Sequence, residues 1–365
     1  MVAQWWTSWW RQREEMLGRF LASLHQGGGR FLPCSQGATP AGRRLGLGFS
    51  CLALKTYYTL GLWQNLPASE RRDWLEFIGS YQVERPTPGA FWDRELVRAL
   101  EHPPFRDRLR RWLGRSAPPA PLQATIAAET KQAIATLAQV GGRPARPFQD
   151  FPRTPGQART WLEAQPWERP WAAGGRSAAL AVFSVTQGPR FLAGDEVAAL
   201  VAEQAAFYRE LAHAENGAYY RGPAPEAGEL VNGAMKVLTA LDWLEEPIHY
   251  PERLLDTCLD QPPRSEGCHL VDWVYVLYRC QKQTGHRRDQ VQEGCRRVLE
   301  MIREHARPDG GFSYYRERSQ TNYYGVEIAR GLAESDLHGT CLLTWALAMI
   351  SQILEDGPAW RVFRP

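Results

Sequence analysis

Residues 336–353 read DLHGTCLLTWALAMISQI, and from Leu337 to Ile353 the run holds no residue that is fully charged at neutral pH. A helix with one apolar stripe lies on a surface, whereas one that is apolar nearly all round belongs inside a fold. Five further stretches have the same character: residues 44–63 (RLGLGFSCLALKTYYTLGLW), 125–140, 171–185 (WAAGGRSAALAVFSV), 229–243 (ELVNGAMKVLTALDW) and 267–280 (GCHLVDWVYVLYRC). Between them lie helical patterns with a charged face, at residues 69–82, 94–113, 194–213, 250–259 and 286–305. Inner and outer helices therefore alternate along the chain, and no run of alternating strand residues interrupts them. The expectation is an all-α protein, an α/α toroid with about six inner and six outer helices. Residues 1–30 would form a Trp-rich amphipathic helix and residues 31–365 a single toroid domain. An open solenoid of stacked helix pairs shows the same alternation.

Composition narrows the partners. The 365 residues carry 43 basic and 40 acidic side chains, largely interspersed, for a net charge of +3. Such a balance gives no basic surface for nucleic acid. Seven cysteines and an N-terminus without the order of a secretory signal point to free thiols in a reducing compartment, so the expected setting is cytoplasmic. Trp5, Trp6, Trp9 and Trp10, followed by Arg11, Arg13 and Arg19, suit either peripheral contact with a membrane or packing over one end of the fold. Aromatic side chains are abundant, with 15 Trp, 13 Tyr and 13 Phe. They fill a core or line a cavity with ring faces.

Two turns share a form. Gln82 ends one outer helix and leads through Gly89 to Phe91, and residues 308–312 (PDGGF) follow another outer helix in the same way. Glycine supplies the positive φ required just past a helix C-terminus, and the aromatic folds back onto the helix pair. These turns, together with inner helices opening Gly-Cys-His and Asp-Leu-His-Gly-Thr-Cys, resemble the terpenoid cyclase and protein prenyltransferase superfamily over about residues 44–355. The resemblance implies the toroid, an active site at the ends of inner helices, and a small apolar, isoprenoid substrate. The Asp-x-Asp-Asp and Asp-Asp-x-x-Asp motifs that start the two cyclase mechanisms are absent, so neither mechanism carries over. The resemblance also implies a zinc set. Glu266 and Cys268 match an Asp-x-Cys pair with Glu for Asp, and His338 stands one position from the matching His. Three such donors leave the open fourth position of a catalytic zinc.

Independently of zinc, His269 and Asp272 are three apart on one inner helix, and Asp336 and His338 open another. Histidine beside a carboxylate is suited to general acid/base catalysis near neutral pH. Asp336, following Ser335, also stands where an N-cap belongs. The polar, aromatic segment 312–327 before the last inner helix is too long for an idle connection. Its Arg316 and Arg318 suit a phosphate or carboxylate, and Asn322, Tyr323 and Tyr324 suit the wall or cover of a pocket. Trp171, at the start of the third inner helix, is a candidate platform. Three functions follow: a cyclase- or prenyltransferase-like enzyme on an apolar substrate, a carbohydrate-active lyase or hydrolase, or a non-catalytic scaffold. A dry aromatic pocket selects the first and an open polar site the second.

Overall fold

The computed structural model describes residues 2–85, 87–102, 122–265 and 267–365. Among them the chain is all-α. The helices are α1 Val2–Leu24, α2 Pro40–Arg44, α3 Leu47–Thr59, α4 Ala68–Gly79, α5 Arg94–Glu101, α6 Leu122–Gln139, α7 Pro155–Glu163, α8 Pro170–Thr186, α9 Gly194–Leu211, α10 Ala227–Leu244, α11 Pro251–Leu259, α12 Gly267–Gln281, α13 Arg288–His305 and α14 Leu337–Leu354. The described sheet is one hairpin of β1 Asn322–Tyr323 and β2 Val326–Glu327, with Tyr323 opposite Val326.

The six apolar stretches are α3, α6, α8, α10, α12 and α14; five are buried along most of their length, and α6 chiefly along Ala133–Leu137. Amphipathic helices lie between them, α4 and α5 between α3 and α6, and α7, α9, α11 and α13 one to each later interval. The periodicity at 155–163 is too short to stand out. Its caps do mark it, because Thr154 accepts from the Gln157 N–H and Pro155 occupies the first turn, where its missing donor costs nothing. The 94–113 pattern is helical over Arg94–Glu101, and residues 103–113 lie outside the described residues. Helix α14 is apolar and long enough to cross a membrane, yet 78% of it is buried inside the fold, which accounts for its composition.

The chain divides into two compact units. The first comprises Met1–Arg146 and Glu304–Thr344, and the second Pro147–Arg303 and Trp345–Pro365. In the first unit α3 packs on α6 and α4. Helix α1 belongs here, burying Trp6, Trp10, Leu17, Phe20, Leu21 and Leu24, and Arg13 donates to the Arg307 carbonyl at 3.1 Å. In the second unit α8 packs on α10 and α10 on α12, with α9 and α11 against them.

Among the described residues the helix-ending turn recurs four times rather than twice. Antiparallel bridges pair His25 with Phe31, Gln82 with Phe91, Ala212 with Tyr219 and Ala306 with Phe312. All four aromatics are essentially inaccessible to solvent. In two of these turns the glycine is required by space as well as by φ. A Cβ on Gly310 (φ 107°) would fall 2.6 Å from the Met16 carbonyl oxygen, and one on Gly217 (φ 70°) 2.5 Å from the Leu254 nitrogen.

Candidate functional site

Two glycines bring the N-terminal halves of α8 and α10 into backbone contact. A Cβ on Gly233 would lie 2.6 Å from Cβ of Pro170, and one on Gly174 2.7 Å from Cβ of Lys236. This approach sets Trp171, the second residue of α8, beside the first turns of α10. The Trp171 N–H donates to Glu229 Oε1 at 3.0 Å, and the Lys236 ammonium lies 5.9 Å from the Trp171 ring centroid. Helix α12 adds His269 and Asp272. The Asn232 side-chain nitrogen donates to His269 Nδ1 at 3.0 Å, so the neutral ring carries its proton on Nε2. Asp272 is only 5% exposed, and burial pushes its carboxyl above the usual range, while the charges of Lys236 and His269 pull it back. The result in the second unit is an exposed indole, an amide, an imidazole, an ammonium and a desolvated carboxyl drawn from the buried helices α8, α10 and α12.

The two predicted pairs are thus separated by unit, His269 and Asp272 lying in the second and Asp336 and His338 in the first. The second pair is built differently. Asp336 caps α14, accepting the Gly339 N–H on Oδ1 at 2.7 Å, and its Oδ2 accepts the Tyr314 and Gln320 N–H groups at 2.7 and 2.9 Å. Burial raises its carboxyl to about 6 against the pull of these three donors. His338 Nδ1 meets Gln320 Oε1 at 2.9 Å, and its ring lies 5.3 Å from that of Tyr314. Asp336 is committed to main-chain donors from a helix and a loop.

The other predicted site residues are distributed as follows. Trp171 is 50% exposed. Arg316 pairs with Glu304 at 2.8 Å, and Arg318 lies over the Tyr315 ring. Asn322 closes the hairpin by accepting the Gly325 N–H at 2.8 Å. Tyr323 is buried, its hydroxyl donating to Glu129 Oε1 at 2.9 Å, and Tyr324 has φ 48°. Of the proposed zinc set, Glu266 lies outside the described residues, half-buried Cys268 is in the second unit and His338 in the first. Among the described residues no three His, Cys, Asp or Glu side chains converge as metal ligands.

Two participants, Asn232 and Lys236, escaped the sequence reading, as did the buried Glu129 of the first unit. All interrupt apolar helices, and Asn232 and Lys236 do so four apart, on one face. That spacing was the available signal.

No protein-family profile and no curated protein sequence matches the chain. Two solved structures are similar in fold. One is described as a possible member of the GH105 family from Salmonella enterica serovar Paratyphi A, at 12% identity and TM-score 0.43 over 94% of both chains. The other is the GH76 alpha-mannanase of Bacteroides thetaiotaomicron, at 12% identity and TM-score 0.45 over 95% of this chain and 97% of that one.

Proposed function

We propose that the protein is a carbohydrate-active enzyme that cleaves a glycosidic linkage by acid/base chemistry in its second unit. The observation that carries this is Trp171, half exposed at the rim of a polar group of Asn232, Lys236, His269 and Asp272. A sugar offers an apolar ring face to stack on an indole and hydroxyls for the amide, imidazole and ammonium. An isoprenoid would leave those polar groups unpaired, at a desolvation cost. The larger aromatics the isoprenoid reading needs as cavity walls, including Trp167, Trp345, Tyr275, Phe49 and Phe207, are fully buried side chains.

In this reading Asp272 is the proton donor to the leaving oxygen, because desolvation keeps its proton bound at higher pH than usual. For His269 to serve as the base through Nε2, its proton moves to Nδ1 and the Asn232 amide turns its oxygen to accept it; Nε2 then takes a proton from attacking water or from substrate carbon. The first gives hydrolysis and the second β-elimination. Lys236 steadies the charge that Asp272 acquires on giving up its proton.

The test is a screen of oligosaccharides for chain cleavage, followed by Asp272→Asn and Trp171→Ala. We expect Asp272→Asn to lower kcat by about 100-fold or more and Trp171→Ala to raise KM with a smaller effect on kcat. An unsaturated, ultraviolet-absorbing product identifies elimination. Full activity in Asp272→Asn defeats the assignment.

A further inference from the structure

The buried carboxyl of Glu129 has no part in the proposed chemistry. Glu129 sits on α6 in the first unit, 1% exposed, and its Oε2 has no hydrogen-bond partner among the described residues. Its Oε1 accepts from Tyr323, which the hairpin carries in from 194 positions away. The seat for that hydroxyl is made by a missing side chain. A Cβ on Gly48 of α3 would lie 2.2 Å from the Tyr323 oxygen, and the neighbouring Phe49 ring is 5.3 Å from that of Tyr323. The returning limb of the hairpin is tied by main-chain bonds, Thr39 N–H to the Ile328 carbonyl and Arg330 N–H to the Gly37 carbonyl, each at 2.9 Å. The tip itself turns through Tyr324 in the left-handed region, an uncommon state for an aromatic residue. Both limbs are thus anchored at their bases, the first by Gln320 N–H to Asp336, and among the described residues the tip, 322–326, is held beyond its own ladder by one side-chain bond to a buried acid.

We propose that the hairpin tip, residues 322–326, is a lid seated by the Tyr323 hydroxyl on the Glu129 carboxyl and released when that carboxyl ionises. The groups facing Glu129 all bear on the direction. They are Asp93 at the start of α5, Tyr81 after α4, Cys51 on α3, and Tyr323 and Tyr324 on the hairpin. Burial first, and then the Asp93 carboxylate, push Glu129 up to about 8, while the Tyr323 hydroxyl and the Asp93 main-chain N–H pull it down. Lifting the tip lets water reach the carboxylate, so the open form binds the proton less tightly than the closed one. By linkage the closed form is favoured at low pH, and the advantage is lost as pH rises to about 8. The lid does not rest on the glycan-cleavage reading, since none of its residues belongs to the group around Trp171.

Hydroxyl-radical footprinting of the full chain tests this, with oxidation of Tyr323 normalised to that of exposed Trp171. In the wild type, Tyr323 oxidation should rise roughly tenfold between about pH 6 and pH 9. Glu129→Gln should remove the rise, leaving the tip closed at both values. Gly48→Ala, which places a methyl on the hydroxyl seat, should expose Tyr323 at both. The proposal is overturned if wild type and Glu129→Gln show the same pH profile, if Gly48→Ala leaves Tyr323 protected, or if Phe31 and Phe91 become oxidised in step with Tyr323, which is general unfolding of the unit.

Discussion

Asp336 and Asp272 are both buried aspartates near the start of an apolar helix, each within three residues of a histidine, and their surroundings make them different objects. Asp336 spends both oxygens on main-chain donors, three in all, drawn from its own helix and from the preceding loop. Asp272 is as far from water, and what faces it is the charge of Lys236 and His269 rather than main-chain donors. A carboxylate satisfied by fixed N–H groups holds a structure together. One desolvated among movable charges is poised to exchange a proton. Spacing to a histidine does not separate the two cases, but the donor set does.

Removing each carboxylate should break the comparison if it is wrong. The largest effect is expected for Asp336→Ala, which strips the α14 cap and leaves loop donors unpaired. We expect a loss of about 3 kcal/mol or more in chemical denaturation, with no rescue by pH. Gly233→Ala should come next, at about 1–3 kcal/mol, because the added methyl drives α10 away from Pro170. If its sugar affinity falls together with its stability, the close approach of the two helices is what builds the site. Asp272→Asn should leave stability unchanged or slightly raised at pH 7, since the folded state holds that carboxyl above its unfolded value and a neutral amide removes the cost of ionising it. A large destabilisation would make Asp272 a second Asp336. The smallest effect on folding is expected for Trp171→Ala, within about 0.5 kcal/mol, because the side chain is half exposed.

Glu129 sharpens the comparison as an intermediate case, with one oxygen bonded and one not. Its folded value of about 8 lies above the ordinary carboxylate value. Its stabilising contribution is therefore full at low pH and is lost as pH rises through about 8. In urea titrations across that window, Glu129→Gln should flatten the decline seen in the wild type. An equal decline in both proteins would assign it to other groups, such as Asp336, raised to about 6.

Much of this protein follows from local pattern. The six inner helices are visible because burial on all sides demands apolar residues throughout, and that demand falls on contiguous positions. The Gly-aromatic turns are visible because a positive φ next to a crowded backbone admits glycine alone, and the α14 cap is visible in Ser335-Asp336. Trp171, His269 and Asp272 could be nominated because polar or aromatic residues at helix starts stand out by type. What only the tertiary structure decided is which of these groups meet. It divided the two histidine–aspartate pairs between units, turned Arg316 to Glu304 and sank Tyr323 onto Glu129. It also joined Asn232 and Lys236 to His269 and Asp272 across two helices. The physical reason is one of range. Helix period, capping and turn geometry are set by neighbours within about four positions, whereas desolvation and hydrogen-bond partnership depend on side chains far apart in the chain, and those contacts leave no periodic trace in a single sequence.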